Sequence, residues 1–307
     1  MQARQGLISI YPNRNAKSAV STLNVCLVCR GPRLRRLFIA KGYQIVRCEQ
    51  CGFCQVENPP SDAGLDQLYA NLHVSHTKFR DEQAAQRENL ARLRFTQEFV
   101  EPGGLVLDAG CATGDFLELA RDQYRVYGVD ISAGAIEQAK VRLPDIADRL
   151  SSKKLEDLDQ KWPKFDAICL WDVIEHVRDP VGACRTLMNL LKPGAYLLVS
   201  TPDMGALSAK VMRQYWAFMI PPLHLGYFSR RSLNYLFSQR TPATILAIRT
   251  RGKWTNLTFL FYKINQMSKW LAPDALLNWL SGSRLGRVNL YMPTNDIMYL
   301  VAKKPEQ

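Results

Sequence analysis

Five of the eight cysteines in this 307-residue chain fall between Cys26 and Cys54. Two close pairs stand out, Cys26-Leu-Val-Cys29 and Cys48-Glu-Gln-Cys51, with 18 residues between them. Each pair suits a tight turn, and two such turns bring four thiolates to the corners of a tetrahedron. That is a closed structural zinc site, with no coordination position left for catalysis. Cys54 makes a second close pair with Cys51 and is the alternative fourth ligand. The remaining cysteines, Cys111, Cys169 and Cys184, sit in or beside apolar segments, where a buried thiol is the ordinary outcome.

A second set of residues suits binding of a ligand. Leu105, Val106 and Leu107 form a short apolar run with Asp108 at its carboxyl end, and Gly110 and Gly114 follow before a helix begins near Asp115. Glycines between a strand and a helix let the chain turn tightly and let a ligand approach the backbone. A further apolar run, Val126 to Val129, ends at Asp130, 22 residues after Asp108. A doubly wound fold puts there the carboxylate that takes ribose hydroxyls; a helix amino-terminal cap is the other reading of Asp130. For proton transfer the chain has four histidines. His73 and His76 lie in a polar linker, His176 follows Glu175, and His224 lies in the aromatic and proline-rich loop from Ile220 to Ser229.

These residues need a frame. The run Phe165 to Trp171 leads into Asp172-Val-Ile-Glu175-His176-Val177, and Leu191-Lys-Pro-Gly194 introduces another from Ala195 to Ser200. Strand and helix thus alternate from Leu105 to about Ser200, the pattern of an α/β fold with a doubly wound parallel sheet. Residues 1–22 read as a loose leader. Residues 23–60 read as a small zinc ribbon with strands at Leu37 to Ile39 and Tyr43 to Arg47, closed by Pro59 and Pro60. Residues 61–100 read as a helical linker, its helix running from Lys78 to Val100, and residues 101–307 as the main domain. In its second half a helix is expected from Gly205 to Trp216, another from Ser229, capped by that serine, to Gln239, and strands at Ala243 to Thr250 and Asp296 to Ala302. Between those strands an amphipathic insertion at about 253–290 carries Leu257, Leu260, Phe261, Ile264, Met267 and Leu271 at helical spacing, with Pro273 breaking the helix. With Trp254, Trp270, Trp279 and several Lys and Arg nearby, it reads as an interfacial membrane helix, as a lid over the site, or as a homodimer contact.

Taken together, Asp108-Ala-Gly110-Cys111, Val129-Asp130, Asp172-Val-Ile-Glu175-His176-Val177 and Leu-Lys-Pro-Gly194 resemble the class I S-adenosylmethionine-dependent methyltransferases, over roughly Leu90 to Lys304. The resemblance implies a Rossmann-like seven-stranded sheet and S-adenosylmethionine as cofactor. It assigns the methionyl end to Asp108, Gly110, Cys111 and Gly114, the ribose to Asp130, and the adenine to Ile131, Leu155 and Glu156. Trp171 and Asp172 would form the inner wall. Ala112 stands where many family members have glycine. The segment His224-Leu-Gly-Tyr227-Phe228-Ser229 is similar to one in sugar C-methyltransferases with an amino-terminal zinc-binding domain, where a histidine beside an acid serves proton transfer. Here Leu223 takes the acid's place, and the chain lacks their extra carboxyl-terminal domain. His224, on the loop after the strand edge that faces the methyl group, is the preferred base. His176 is the second choice, because members with Glu-His-Val use that pair structurally.

Composition narrows the setting. A hydrophobic fraction of 47% and a charged fraction of 22% are those of a globular domain. No run approaches the roughly 18 apolar residues of a membrane span, and Met1-Gln-Ala-Arg-Gln-Gly lacks the apolar core of a signal peptide, so a cytoplasmic protein is expected, with peripheral membrane contact as a variant. The net charge of +12 is uneven: residues 1–60 carry 9 basic against 2 acidic residues, and residues 204–307 carry 14 against 3. Such ends attract phosphate, whether on lipid, nucleic acid or a nucleotide-linked molecule. The leading expectation is methyl transfer (O-, N- or C-) to a small-molecule or glycan biosynthetic acceptor such as a nucleotide-linked sugar. An RNA methyltransferase holding RNA on the basic ribbon is the first alternative, though the chain lacks an Asn-Pro-Pro-Tyr base-flipping loop and paired catalytic cysteines. A non-catalytic cofactor-binding module is the second, and the intact Asp108 and Asp130 argue against it.

Overall fold

The computed structural model describes residues 24–61, 64–65 and 82–306. The expected leader at 1–22, and His73 and His76, lie outside the described residues. The described chain begins with three antiparallel strands, β1 (Leu34–Ala40), β2 (Tyr43–Cys48) and β3 (Cys54–Val56). Lys41 and Gly42 join the first two with φ of 50° and 88°, the left-handed pair that matches the twist of a hairpin.

The main domain follows. In chain order it contains α1 (Glu82–Gln97), β4 (Leu105–Ala109), α2 (Asp115–Ala120), β5 (Arg125–Asp130), α3 (Ala133–Arg142), β6 (Leu150–Ser152), β7 (Phe165–Trp171), α4 (Pro180–Leu190), β8 (Leu191–Pro202) and α5 (Leu207–Met212). Next come β9 (Gly226–Tyr227), α6 (Arg230–Tyr235), β10 (Thr244–Asn256), α7 (Leu257–Met267), α8 (Asp274–Gly282) and β11 (Asn289–Lys303). Seven strands form one sheet in the order β10-β11-β8-β7-β4-β5-β6. The five from β6 to β8 are parallel, and β11 and β10 return antiparallel at the edge. From β4 the order runs outward in both directions, so the crossovers part at β4 and β7 and open a crevice beyond the strands' carboxyl ends.

Side-chain alternation builds a core on each face of this sheet. On one, Leu107, Ile168, Leu197 and Leu300 pack against Val181, Cys184, Leu187 and Met188 of α4, and the cysteine-bearing segment joins the same cluster through Leu27, Val28 and Phe53. On the other, Val106, Ala167, Leu198 and Val301 pack against Leu93 and Phe95 of α1, Leu117 of α2 and Ile136 of α3.

Several local expectations change. The helix expected from Gly205 to Trp216 is only α5, because Arg213 takes φ 48° and a single 3-10 turn follows. Ser229 does cap α6, with its side chain and that of Ser232 exchanging bonds with each other's backbone N–H. The two strands flanking the insertion are longer than the sequence suggests: they continue as a hairpin with Lys253 opposite Met292 and Asn256 opposite Asn289. Trp254 and Tyr291 face each other there with ring centroids 5.4 Å apart, a cross-strand aromatic pair that outweighs the polar residues beside it. The insertion is therefore a pair of short helices at the tip of a hairpin. Asn256 caps α7 through the Phe259 N–H at 2.8 Å, and Pro273 separates α7 from α8. No described helix is long and apolar enough to cross a membrane.

Candidate functional site

The crevice is lined first by the turn after β4. Gly110 has φ 99°, and a Cβ there would stand 2.3 Å from Val173 Cγ2; Gly114 has φ 83°, and its Cβ would meet Leu143 Cδ1 at 2.9 Å. No other residue type fits either position without moving its neighbours. Ala112 also lies in the left-handed region, at φ 46°, a conformation that favours glycine. Asp130, at the end of β5, accepts the Ala112 N–H at 2.9 Å and the Ser132 N–H at 2.8 Å, so its carboxylate is fixed against both the turn and the start of α3. The cap of α3 itself is Ser132, whose hydroxyl accepts from Ala135 N–H.

Asp108 is buried, and its Oδ1 has no hydrogen-bond partner. Burial, aided by the charge of Asp130 and opposed by Arg92, pushes its carboxyl up to about 7. An orphaned acceptor beside bare glycines, with a second carboxylate after the next strand, fits a ligand that carries an amine and a ribose. Cys111 is buried under the turn, Ile131 is exposed beside Asp130, Leu155 is buried, and Glu156 is exposed on the adjoining 3-10 turn. Trp171 is buried in an aromatic group with Phe116, Phe95 and Tyr299, at centroid distances of 5.6, 6.4 and 6.0 Å.

Asp172, expected as part of the inner wall, is held by two partners. It has φ 57°, receives the Ser200 hydroxyl at 2.7 Å, and pairs with Arg92 of α1. Arg92 also bonds Asn89 and lies over the Trp171 ring. It is a site residue the sequence reading missed. The signal was a polar stripe, Glu88, Arg92 and Thr96, at helical spacing on the side of α1 that also carries Leu93 and Phe95. Glu88 faces inward too, accepting the Tyr299 hydroxyl at 2.8 Å.

Past Asp172 the chain brings together Glu175, His176 and His224, with one ligand atom from each lying within 4.8 Å of the others. The histidine rings stand edge to face, 4.7 Å apart. Glu175 is buried; the Thr201 hydroxyl donates to its Oε2 at 2.9 Å, while Oε1 has no partner. Burial, with the charge of Asp172 adding, pushes its carboxyl up to about 8. His176 donates Nδ1–H to the Leu223 carbonyl at 2.9 Å. His224 is buried, which holds its pKa well below the usual histidine value, and its Nδ1 has no partner. The Leu225 and Gly226 N–H groups both donate to the Glu175 carbonyl, at 2.9 and 3.0 Å, tying the two segments together.

The cysteines form the other cluster. The thiols of Cys26, Cys29, Cys48 and Cys51 all lie within 4.8 Å of one another, with Cys26–Cys51 at 3.5 Å and Cys29–Cys48 at 3.4 Å. Zinc–sulfur bonds of about 2.3 Å put the corners of a tetrahedron about 3.8 Å apart, so this set fits such an ion. Cys54 is not in the cluster; its thiol turns to the Gly52 carbonyl at 3.9 Å. Gly226 and Tyr227 pair with Gln55 and Cys54, so β9, two residues after His224, is the fourth strand of the ribbon sheet. Phe53 packs on Phe228 at 4.7 Å beneath that joint. A separate cleft, lined by Phe99, Pro102, Asp166, Lys192 and Tyr196, lies at the opposite, amino-terminal edge of the sheet.

Comparison with known proteins agrees with this layout. A family model described as a methyltransferase domain matches residues 77–241. The chain is 34% identical over 128 residues to a ubiquinone biosynthesis O-methyltransferase of Xanthomonas campestris pv. campestris (strain B100), covering 39% of this chain and 53% of that protein. It is 32% identical over 192 residues to the ubiquinone biosynthesis O-methyltransferase of Paracidovorax citrulli (strain AAC00-1), covering 59% of this chain and 77% of that protein. Of several curated relatives it spans only about half the length, 42% to 59%. The solved YcgJ protein of Bacillus subtilis is similar in fold, with a TM-score of 0.51 at 15% identity, covering 72% of this chain and 100% of that one.

Proposed function

Because this chain belongs to the methyltransferase domain family, we propose that it transfers a methyl group from S-adenosylmethionine to a hydroxyl oxygen of a small biosynthetic acceptor. The observation that carries the reading is the turn after β4, where Gly110 and Gly114 have no room for a side chain and Asp108 offers an unpaired acceptor opposite Asp130. When bound, the cofactor supplies a methyl carbon made electrophilic by its sulfonium. Asp108, Gly110, Cys111 and Gly114 hold the methionyl end, Asp130 the ribose, and Ile131, Leu155 and Glu156 border the adenine. Trp171 and Asp172, braced by Arg92, form the inner wall. Since the displacement is in line, the protein's main work is to align the two reacting atoms and keep water out. The acceptor proton leaves at the Glu175, His176 and His224 cluster, where His224, neutral and with its Nδ1 unpartnered, is the candidate base and His176 the second. The relatives' printed activity as O-methyltransferases supports oxygen as the acceptor atom.

The Cys26, Cys29, Cys48 and Cys51 cluster is proposed to hold one structural zinc ion. The helices of the insertion are proposed to rest on an anionic membrane surface, since Trp270 is 86% and Trp279 58% exposed. A closed lid would have buried them.

The test is to incubate the purified protein with methyl-labelled cofactor and separate fractions of small metabolites, lipids and RNA. Label is expected in small hydroxylated molecules or amphiphiles. Label in RNA alone, or cofactor binding with no turnover on any fraction, would overturn the reading.

A further inference from the structure

We propose that Lys253 and Lys263, with Lys41 beside them, form a site for a phosphoryl group carried by the methyl acceptor, so that the acceptor is a phosphate- or diphosphate-bearing molecule. That the ligand is the acceptor rests on the methyl-transfer reading above; the binding of the anion does not.

The argument is one of convergence. Lys253 lies on β10, Lys263 on α7 and Lys41 at the turn between β1 and β2. The Lys253 Nζ stands 4.0 Å from the centre of the Phe218 ring, and the Lys263 Nζ donates to the neighbouring Ala217 carbonyl at 3.4 Å. Both amines also lie against the Phe259 ring, at 5.8 and 5.5 Å. An irregularity in its strand sends Lys253 there: the register to β11 shifts between Arg251 and Lys253, and a Cβ on Gly252 would stand 2.0 Å from the Met292 carbonyl oxygen. All three lysines are partly buried. Burial and the charge of Lys263 hold the amines of Lys253 and Lys41 down at about 8, against the pull of Asp296, Glu88 and Asp172 on Lys253. Among the described residues no carboxylate pairs with Lys253 or Lys263. The acids whose charge reaches Lys253 are engaged elsewhere: Asp296 with the Trp216 Nε1–H and the Ser208 hydroxyl, each at 3.0 Å, Glu88 with Tyr299, and Asp172 with Arg92. Like charges gathered at a partly buried place repel, and an anion from outside relieves them.

The cluster borders the place of reaction. The Phe218 backbone bonds the His224 ring, and the charge of Lys41 acts on that histidine. A carboxylate would leave most of the positive charge unbalanced, whereas a phosphate monoester carries roughly two negative charges. Lysine amines are compact point charges that suit phosphoryl oxygens. Binding at a group remote from the displacement aligns the acceptor hydroxyl with the methyl carbon.

The test uses the full zinc-loaded chain with S-adenosylhomocysteine present in excess, so that the cofactor crevice is filled, and follows inorganic pyrophosphate by calorimetry. One pyrophosphate per chain is expected. Lys253→Met and Lys263→Met should each weaken it about tenfold or more, and Lys41→Met by a smaller factor. Lys164→Met, which removes a cation bonded to the Asn189 carbonyl ahead of β7, should not change it. Thermal melts confirm that each variant folds. No pyrophosphate binding, or binding unchanged in both Lys253→Met and Lys263→Met, would overturn the proposal. Uridine diphosphate and dihexanoyl phosphatidic acid below its micelle concentration are then compared. Tighter binding of the first gives a nucleotide-linked acceptor and of the second a lipid-linked one, and either supports the site. Treating the methyl-accepting fraction with phosphatase should abolish labelling; undiminished labelling would overturn the acceptor assignment. Pyrophosphate binding to a protein that labels no fraction would leave the site standing and sink the methyl-transfer reading instead.

Discussion

At the turn after β4, Ala112 occupies a left-handed conformation at φ 46° that costs an L-residue about 1–2 kcal/mol. Ala112→Gly is therefore expected to raise the melting temperature despite glycine's greater freedom in the unfolded chain, with a net gain of about 0.5 kcal/mol. A lower melting temperature would show that the methyl group packs usefully. Asp130→Ala is expected to weaken cofactor binding about ten- to a hundredfold by calorimetry, because it removes charged hydrogen bonds worth roughly 1.5–3 kcal/mol. Asp108 gives a pH dependence with a definite sign. Unfolded, its carboxyl ionises near 3.8; folded, burial moves it to about 7. Folding thus takes up a proton between those values, and stability is lost as pH rises from about 4 to about 7, by at most roughly 4 kcal/mol. Asp108→Asn removes this slope, so the melting temperature of the variant should gain on the wild type steadily across that window; parallel curves would refute the assignment. Asp108, Gly110, Gly114 and Asp130 could be singled out in the sequence because a strand-end acid, two glycines and a second acid after the next strand occur there in combination. Arg92 could not, since an arginine on a polar helix reads as solvated until the helix is seen to lie across the carboxyl end of the sheet.

The element that most needs a partner is the helical pair at 257–282. Among its described residues only Ala272 and Leu280 are buried, while Met267, Trp270, Leu271 and Trp279 are exposed, with Lys269, Arg284 and Arg287 exposed beside them. Aromatic residues at headgroup depth flanked by cations suit an anionic bilayer surface. Flotation with vesicles containing anionic lipid is expected at low salt, weaker at high salt, and lost in the Trp270→Ala, Trp279→Ala double variant. No flotation together with a concentration-dependent dimer would give the face to a second copy of the chain. The helical period of α7 was plain in the sequence. The extensions of the two flanking strands that lead to it were not, because Arg251, Gly252 and Lys253 break the alternation, and only the pairing between β10 and β11 restores them.

Across the whole molecule, the ribbon and the main domain share both a core and a sheet. Phe53 lies against Phe228, and β9 completes the ribbon two residues after His224. The zinc ion proposed for the Cys26, Cys29, Cys48 and Cys51 cluster would contribute to folding of this knuckle. Stripping zinc is therefore expected to lower turnover, on the order of a hundredfold, by loosening the segment that places His224, while cofactor affinity at the Asp108 and Asp130 side stays within about threefold. Unchanged turnover in a protein shown to be metal-free would break that link. Sequence spacing singled out the four cysteines that cluster, but no spacing discloses a strand pairing between residues 55 and 226. The pairing also bears on descent and exchange. A sheet whose last strand is supplied from the far half of the chain cannot be lent to another enzyme or lost in one step. Chimeras that swap amino-terminal segments between relatives should work only when the donor brings its own version of the loop from 220 to 229, so the two stretches are expected to be inherited as a pair.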